Sequence, residues 1–92
     1  MPERHIDAKS KKLLLETFIG MKRNDVPDLL MSLMSSSEIK DLSRRIMCAK
    51  LLKEDHTYSD VALKMGMSEG TINKIHFKTK GSPIINKLFG KE

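Results

Sequence analysis

Cys48, His5, His56 and His76 are the residues that could hold a metal or act as a nucleophile. Zinc sites pair such ligands at C-x2-C or H-x3-H spacing, and no two of these residues stand in either pattern, so no metal is expected. Cys48 falls within an apolar helical run, where a thiol fills space, and His56 falls in a polar interruption suited to a turn. Phosphate-cradling glycine loops, a nucleophile elbow and a facing pair of carboxylates are all missing, so neither catalysis nor a cofactor is expected. The remaining chemistry is recognition. Ser68, Glu69, Gly70, Thr71, Asn73, Lys74, Phe77 and Lys78 form a polar, basic run, with Lys64 and Lys80 beside it. An asparagine amide matches the adenine edge, a lysine matches guanine or phosphate, and Thr71 can meet a thymine methyl or a phosphate. Lys64, Lys78 and Lys80 would neutralise phosphates. Glu69 is repelled by phosphates unless it accepts from a cytosine amino group.

The charge distribution agrees. The 92 residues carry a net charge of +5. Residues 64–92 hold six lysines against two acids, whereas residues 25–63 hold five Lys/Arg against seven acids. A basic C-terminal third is the electrostatic footprint of a nucleic-acid contact, although a solvated lysine face has the same composition. Aromatic residues are scarce and Leu, Ile and Met plentiful, which favours helices. A lone cysteine forms no internal disulfide, no apolar run is long enough to span a bilayer, and Met1 to Lys12 offers no signal-peptide core. The expectation is a cytoplasmic protein with no membrane contact, one domain over residues 1–92.

Positioning the basic run requires helices, and the sequence spaces them. An apolar stripe of Leu13, Leu14, Phe18, Ile19 and Met21 predicts a helix from about Asp7 to Arg23. Pro27 marks the start of a short second helix, strongly apolar through Leu29, Leu30, Leu33 and Met34, that belongs in a core or a subunit interface. Ser35 and Glu38 stand at capping-box spacing before a third, whose Ile39, Leu42, Ile46, Ala49 and Leu52 should face the core, widened by Met47 and Leu51. Thr57 and Asp60 repeat that spacing before a short helix from Tyr58 to Met65. Ser68 caps a helix from Glu69 to about Thr79, and Ser82-Pro83 opens the last, apolar through Ile84, Ile85, Leu88 and Phe89. The methionines Met31, Met34, Met47, Met65 and Met67 also read as core.

Residues 58–80 then satisfy a helix-turn-helix. Counting from Tyr58, Ala62 is fifth, where a small residue lets the second helix approach, and Gly66 is ninth, in the turn. Val61, Met65, Met67, Ile72 and Ile75 take the inward positions. By elimination, the polar run from Ser68 to Lys78 is the outward face and should enter a major groove.

The stretch from Leu33 to Gly81 resembles the Trp repressor superfamily, nearest to a YerC/YecD-type branch. The resemblance rests on Ser35-Ser36-Ser37-Glu38, Asp41-Leu42-Ser43-Arg44-Arg45, Ala49-Lys50-Leu51-Leu52, Tyr58-Ser59-Asp60-Val61-Ala62 and Gly70-Thr71-Ile72-Asn73-Lys74-Ile75. It implies an all-α intertwined homodimer of about six helices per chain, binding an operator in duplex DNA as a transcriptional repressor. It also implies a corepressor site in which two arginines sandwich a tryptophan indole, with a glycine beside the second. Arg45 falls on the first arginine, Lys74 on the second and Ile75 on the glycine. Lysine lacks the flat guanidinium that stacks on an indole, so tryptophan binding is not expected. Arg45 is instead expected to meet a helix-end carbonyl or an acid such as Asp41. Two other readings stay open: the DNA-binding module of a transposase or recombinase, and a helical scaffold for protein or RNA.

Overall fold

Serine, threonine, proline and glycine set most of the helix ends. The computed structural model describes residues 2–90, with side chains from Ile6 to Gly90. Among the described residues it contains six helices and no strand: α1 (Pro2–Gly20), α2 (Asp25–Leu33), α3 (Ser36–Lys53), α4 (Tyr58–Met65), α5 (Glu69–Thr79) and α6 (Pro83–Phe89). This is the all-α architecture expected. The chain forms two compact units, Met1–Ser35 and Ser36–Glu92.

In the first unit α1 stops at Gly20, three residues before the predicted end, because Met21 to Asn24 turn the chain, with Asp25 N–H bonded to the Lys22 carbonyl and Val26 N–H to that of Arg23. α2 begins at Asp25, and Pro27 lies in its first turn, where a missing N–H costs nothing. Asp25 and Asp28 put negative charge at the positive end of the helix dipole, while Asn24 makes no side-chain cap. The apolar stripe of α1 is largely uncovered: Leu13, Leu14 and Ile19 are exposed and Phe18 is half-buried. Met31 and Leu33 of α2 are likewise exposed. Helical periodicity identifies an apolar face but does not supply a surface to cover it.

In the second unit the core is Cys48 and Ala49 of α3, Val61 of α4 and Ile72 of α5, all buried. Leu51, Leu52, Tyr58, Ala62, Met65, Met67 and Ile75 pack around it. The C-terminal half of α3 therefore matches its predicted buried face. The other half does not: Leu42, Ile46 and Met47 are exposed, so Met31 and Met47 must be struck from the expected core. At the end of α3, Asp55 adopts a left-handed conformation at φ 68°, which Asp tolerates better than most residues. Thr57 then caps α4, its hydroxyl accepting from Asp60 N–H at 3.1 Å. Ser82 caps α6 with Pro83 in the first turn, as expected. Gly90 ends α6 where an added Cβ would collide with the Asn86 carbonyl oxygen.

Candidate nucleic-acid interface

α4 and α5 are joined by Gly66, Met67 and Ser68. Gly66 takes φ 64° and ψ 38°, the left-handed conformation that only glycine adopts without strain, and both its N–H and that of Met67 return to the Ala62 carbonyl. Ser68 then opens α5, its hydroxyl accepting from Thr71 N–H at 3.1 Å and lying 2.9 Å from the Thr71 hydroxyl. The inward positions are filled as predicted: Val61 and Ile72 are buried, and Met65, Met67 and Ile75 pack against them. The fold thus contains the helix-turn-helix geometry.

All ten residues predicted for recognition are exposed: Lys64, Ser68, Glu69, Gly70, Thr71, Asn73, Lys74, Phe77, Lys78 and Lys80. Glu69 and Asn73 meet α4, whereas Thr71, Lys74 and Lys78 line a groove against α3. On the α4 flank, Ser59 donates to the Glu69 carboxylate at 3.4 Å and the Tyr58 hydroxyl donates to Asn73 Oδ1 at 3.2 Å. The same hydroxyl reaches His76 Nδ1, the two rings meeting edge to face. Glu69, awkward for DNA, is thereby drawn toward α4 and sits at the favourable end of the α5 dipole. Lys80 places its ammonium 4.8 Å from the centre of the Phe77 ring, and Lys64 lies 3.4 Å from His56 Nδ1. These lysines have weak partners that phosphates could replace.

The α3 flank forms an open groove of about 530 Å³, lined by Asp41, Arg44 and Arg45 of α3 and by Met67, Thr71, Lys74, Ile75, Lys78 and Thr79. The groove unites Arg45, Lys74 and Ile75, as the resemblance implied, and adds Arg44, which sequence reasoning missed. Arg44 is half-buried and Arg45 exposed. Among the described residues Arg45 forms no ion pair with Asp41 and no bond to a helix-end carbonyl, contrary to expectation; both residues line the groove. Beneath the groove the Cys48 thiol donates to the Met67 thioether at 3.7 Å. Burial pushes the Cys48 thiol up, and the nearby Arg44 charge pulls partly against it.

Tyr58 and His76 were also missed as members of this face, since an aromatic at the start of α4 and a histidine on α5 carry no sequence signal of pairing. Among the described residues no three His, Cys, Asp or Glu side chains are grouped to hold a metal, and His5 lies outside the described side chains. No helix among the described residues is long and apolar enough to cross a membrane.

A family model described as Trp repressor protein matches residues 10–83, most of the chain. No curated protein and no solved structure matches it.

Proposed function

The chain belongs to the Trp repressor family of helix-turn-helix DNA-binding regulators, and from that premise we propose that it is a homodimeric transcriptional repressor that reads a specific duplex sequence without using tryptophan. The observation that carries the reading is the two-sided character of α5. Ile72 is buried and Ile75 packed beside it, while Ser68, Glu69, Gly70, Thr71, Asn73, Lys74, Phe77 and Lys78 are all exposed. A helix anchored on one side and polar and basic on the other is suited to a major groove.

The dimer is supported by apolar surface that one chain leaves uncovered, including Leu42, Ile46 and Met47 along α3 and Ile84 and Leu88 on α6. In this reading, residues 1–92 act as one domain completed by the second copy, in the cytoplasm. The independence from tryptophan is supported by Lys74 and Ile75 in the groove. A lysine cannot stack as a guanidinium does, and the branched isoleucine occupies space that a ligand edge would need.

Selection of bound sequences from a random duplex pool tests the proposal. A two-fold symmetric site with half-sites about one helical turn apart is expected. Enrichment of an asymmetric site would refute the dimeric reading and favour a recombinase-type module. Failure to retain duplex at any salt concentration would refute DNA binding and leave the scaffold reading.

A further inference from the structure

Tyr58 stands on α4, yet its hydroxyl lies within hydrogen-bond distance of two side chains of α5, Asn73 and His76. A phenol has one proton to donate. The distance to Asn73 Oδ1 is 3.2 Å, with the hydroxyl donating. If that proton goes to Asn73, the contact with His76 Nδ1 runs the other way, with the imidazole donating from Nδ1–H to the Tyr58 oxygen. The ring of Tyr58 is itself held, packed against the buried cluster of Cys48, Val61 and Ile72. That arrangement is a directed chain of donors from His76 through Tyr58 to Asn73, anchored on the core and ending on the exposed side of α5.

We propose that Tyr58 is a positioning residue that holds Asn73 Oδ1 back toward α4 and so presents the Asn73 Nδ2 amide protons to DNA as donors. The inference rests on the DNA-binding reading and adds the class of base atom read. Bidentate adenine recognition uses the amide oxygen and nitrogen side by side. With the oxygen engaged by Tyr58, Asn73 reads an acceptor: purine N7, guanine O6 or thymine O4. The reverse arrangement, with Tyr58 donating to His76, would turn the amide over and expose an acceptor to the base. The location of one proton on the His76 ring therefore reports which way Asn73 faces.

Two measurements decide it. Ring-nitrogen NMR of the free full chain, at a pH above the ordinary histidine range, should find His76 protonated at Nδ1, with the proton moving toward Nε2 in Tyr58→Phe. A wild-type ring bare at Nδ1 would overturn the donor chain. Tyr58→Phe keeps the ring that packs on the core, and a melting curve checks that it folds. In selections from a random duplex pool, Tyr58→Phe should lose preference at a single base pair by roughly tenfold. Asn73→Ala should lose preference at the same pair, and the double variant should be no worse than Asn73→Ala. An unchanged preference in Tyr58→Phe, or a loss at a different pair, would overturn the positioning role. If wild-type protein bound no duplex, the functional reading would fail and the base-reading role with it, while the ring-nitrogen measurement would still decide the hydrogen-bond chain.

Discussion

Cys48 on α3 and Met67 in the turn meet sulfur to sulfur at 3.7 Å. The contact joins the helix beneath the motif to the three residues that set the angle between α4 and α5. Cys48 is fully buried, and Met67 also lines the groove shared with Arg44, Lys74 and Ile75. Support for the turn and the wall of the groove therefore share a side chain.

Cys48→Ser places a hydroxyl in this apolar setting and should cost about 1–3 kcal/mol in denaturant unfolding. Cys48 also makes stability depend on pH. Burial raises its folded pKa, so its contribution is whole below the unfolded thiol value of about 8.5 and declines as pH rises through the higher folded value. Wild-type stability should fall more steeply than that of Cys48→Ala over that alkaline range. Parallel curves for the two proteins would show that the thiol is not desolvated.

Beyond its two chain neighbours, Gly66 has no atom within 4 Å of where a Cβ would stand, so substitution there meets strain in the backbone. Gly66→Ala should cost about 1–2 kcal/mol for its left-handed φ of 64°. Gly66→Val should cost more, because β-branching restricts that region further. Equal melting temperatures for wild type and both variants would mean that the turn takes another conformation.

Lys74 in the groove and Lys80 at the end of α5 should respond differently to removal. Lys74→Ala should weaken specific binding by about 1–3 kcal/mol and relax one base position. Lys80→Ala should weaken binding to every sequence alike and reduce the logarithmic salt slope by about 1. Filter binding across a salt series separates the two behaviours. A Lys74→Ala variant that lost affinity uniformly would be a phosphate contact instead.

Tryptophan should leave operator affinity unchanged, and calorimetric titration of the free protein should show no saturable heat. Replacing Lys74 by Arg together with Ile75 by Gly restores the flat cation and the space at the groove, and should create measurable tryptophan binding. Saturable binding of tryptophan to the wild-type chain would show that Arg44 or Arg45 suffices without Lys74.

Much of the motif could be read in the sequence because its determinants are local. Thr57, Ser68 and Ser82 each cap a helix with a bond to a residue three positions on, and Gly66 marks its turn by being the residue that tolerates the required φ. The outward face of α5 followed once Val61, Ile72 and Ile75 were assigned inward. Two kinds of information were not local. Tyr58 lies 15 residues from Asn73 and 18 from His76, and their contacts exist only after α4 and α5 have packed. The apolar faces of α1, α2 and the first half of α3 could be recognised, but their burial could not be inferred, since periodicity carries no information about what lies opposite. Arg44 escaped notice for a related reason: it and Arg45 differ by about 100° around the helix, yet both line the groove.

Leu42, Ile46 and Met47 are exposed on the helix that also carries Cys48 and Arg44. If a second copy covers that flank, the equilibrium that completes the core also sets the supply of DNA-competent protein. Below the dissociation constant of the dimer, competent species then grow with the square of chain concentration, so occupancy of a single operator is second order in protein. A modest change in expression would move the target between free and occupied states, giving a threshold response without any small-molecule signal.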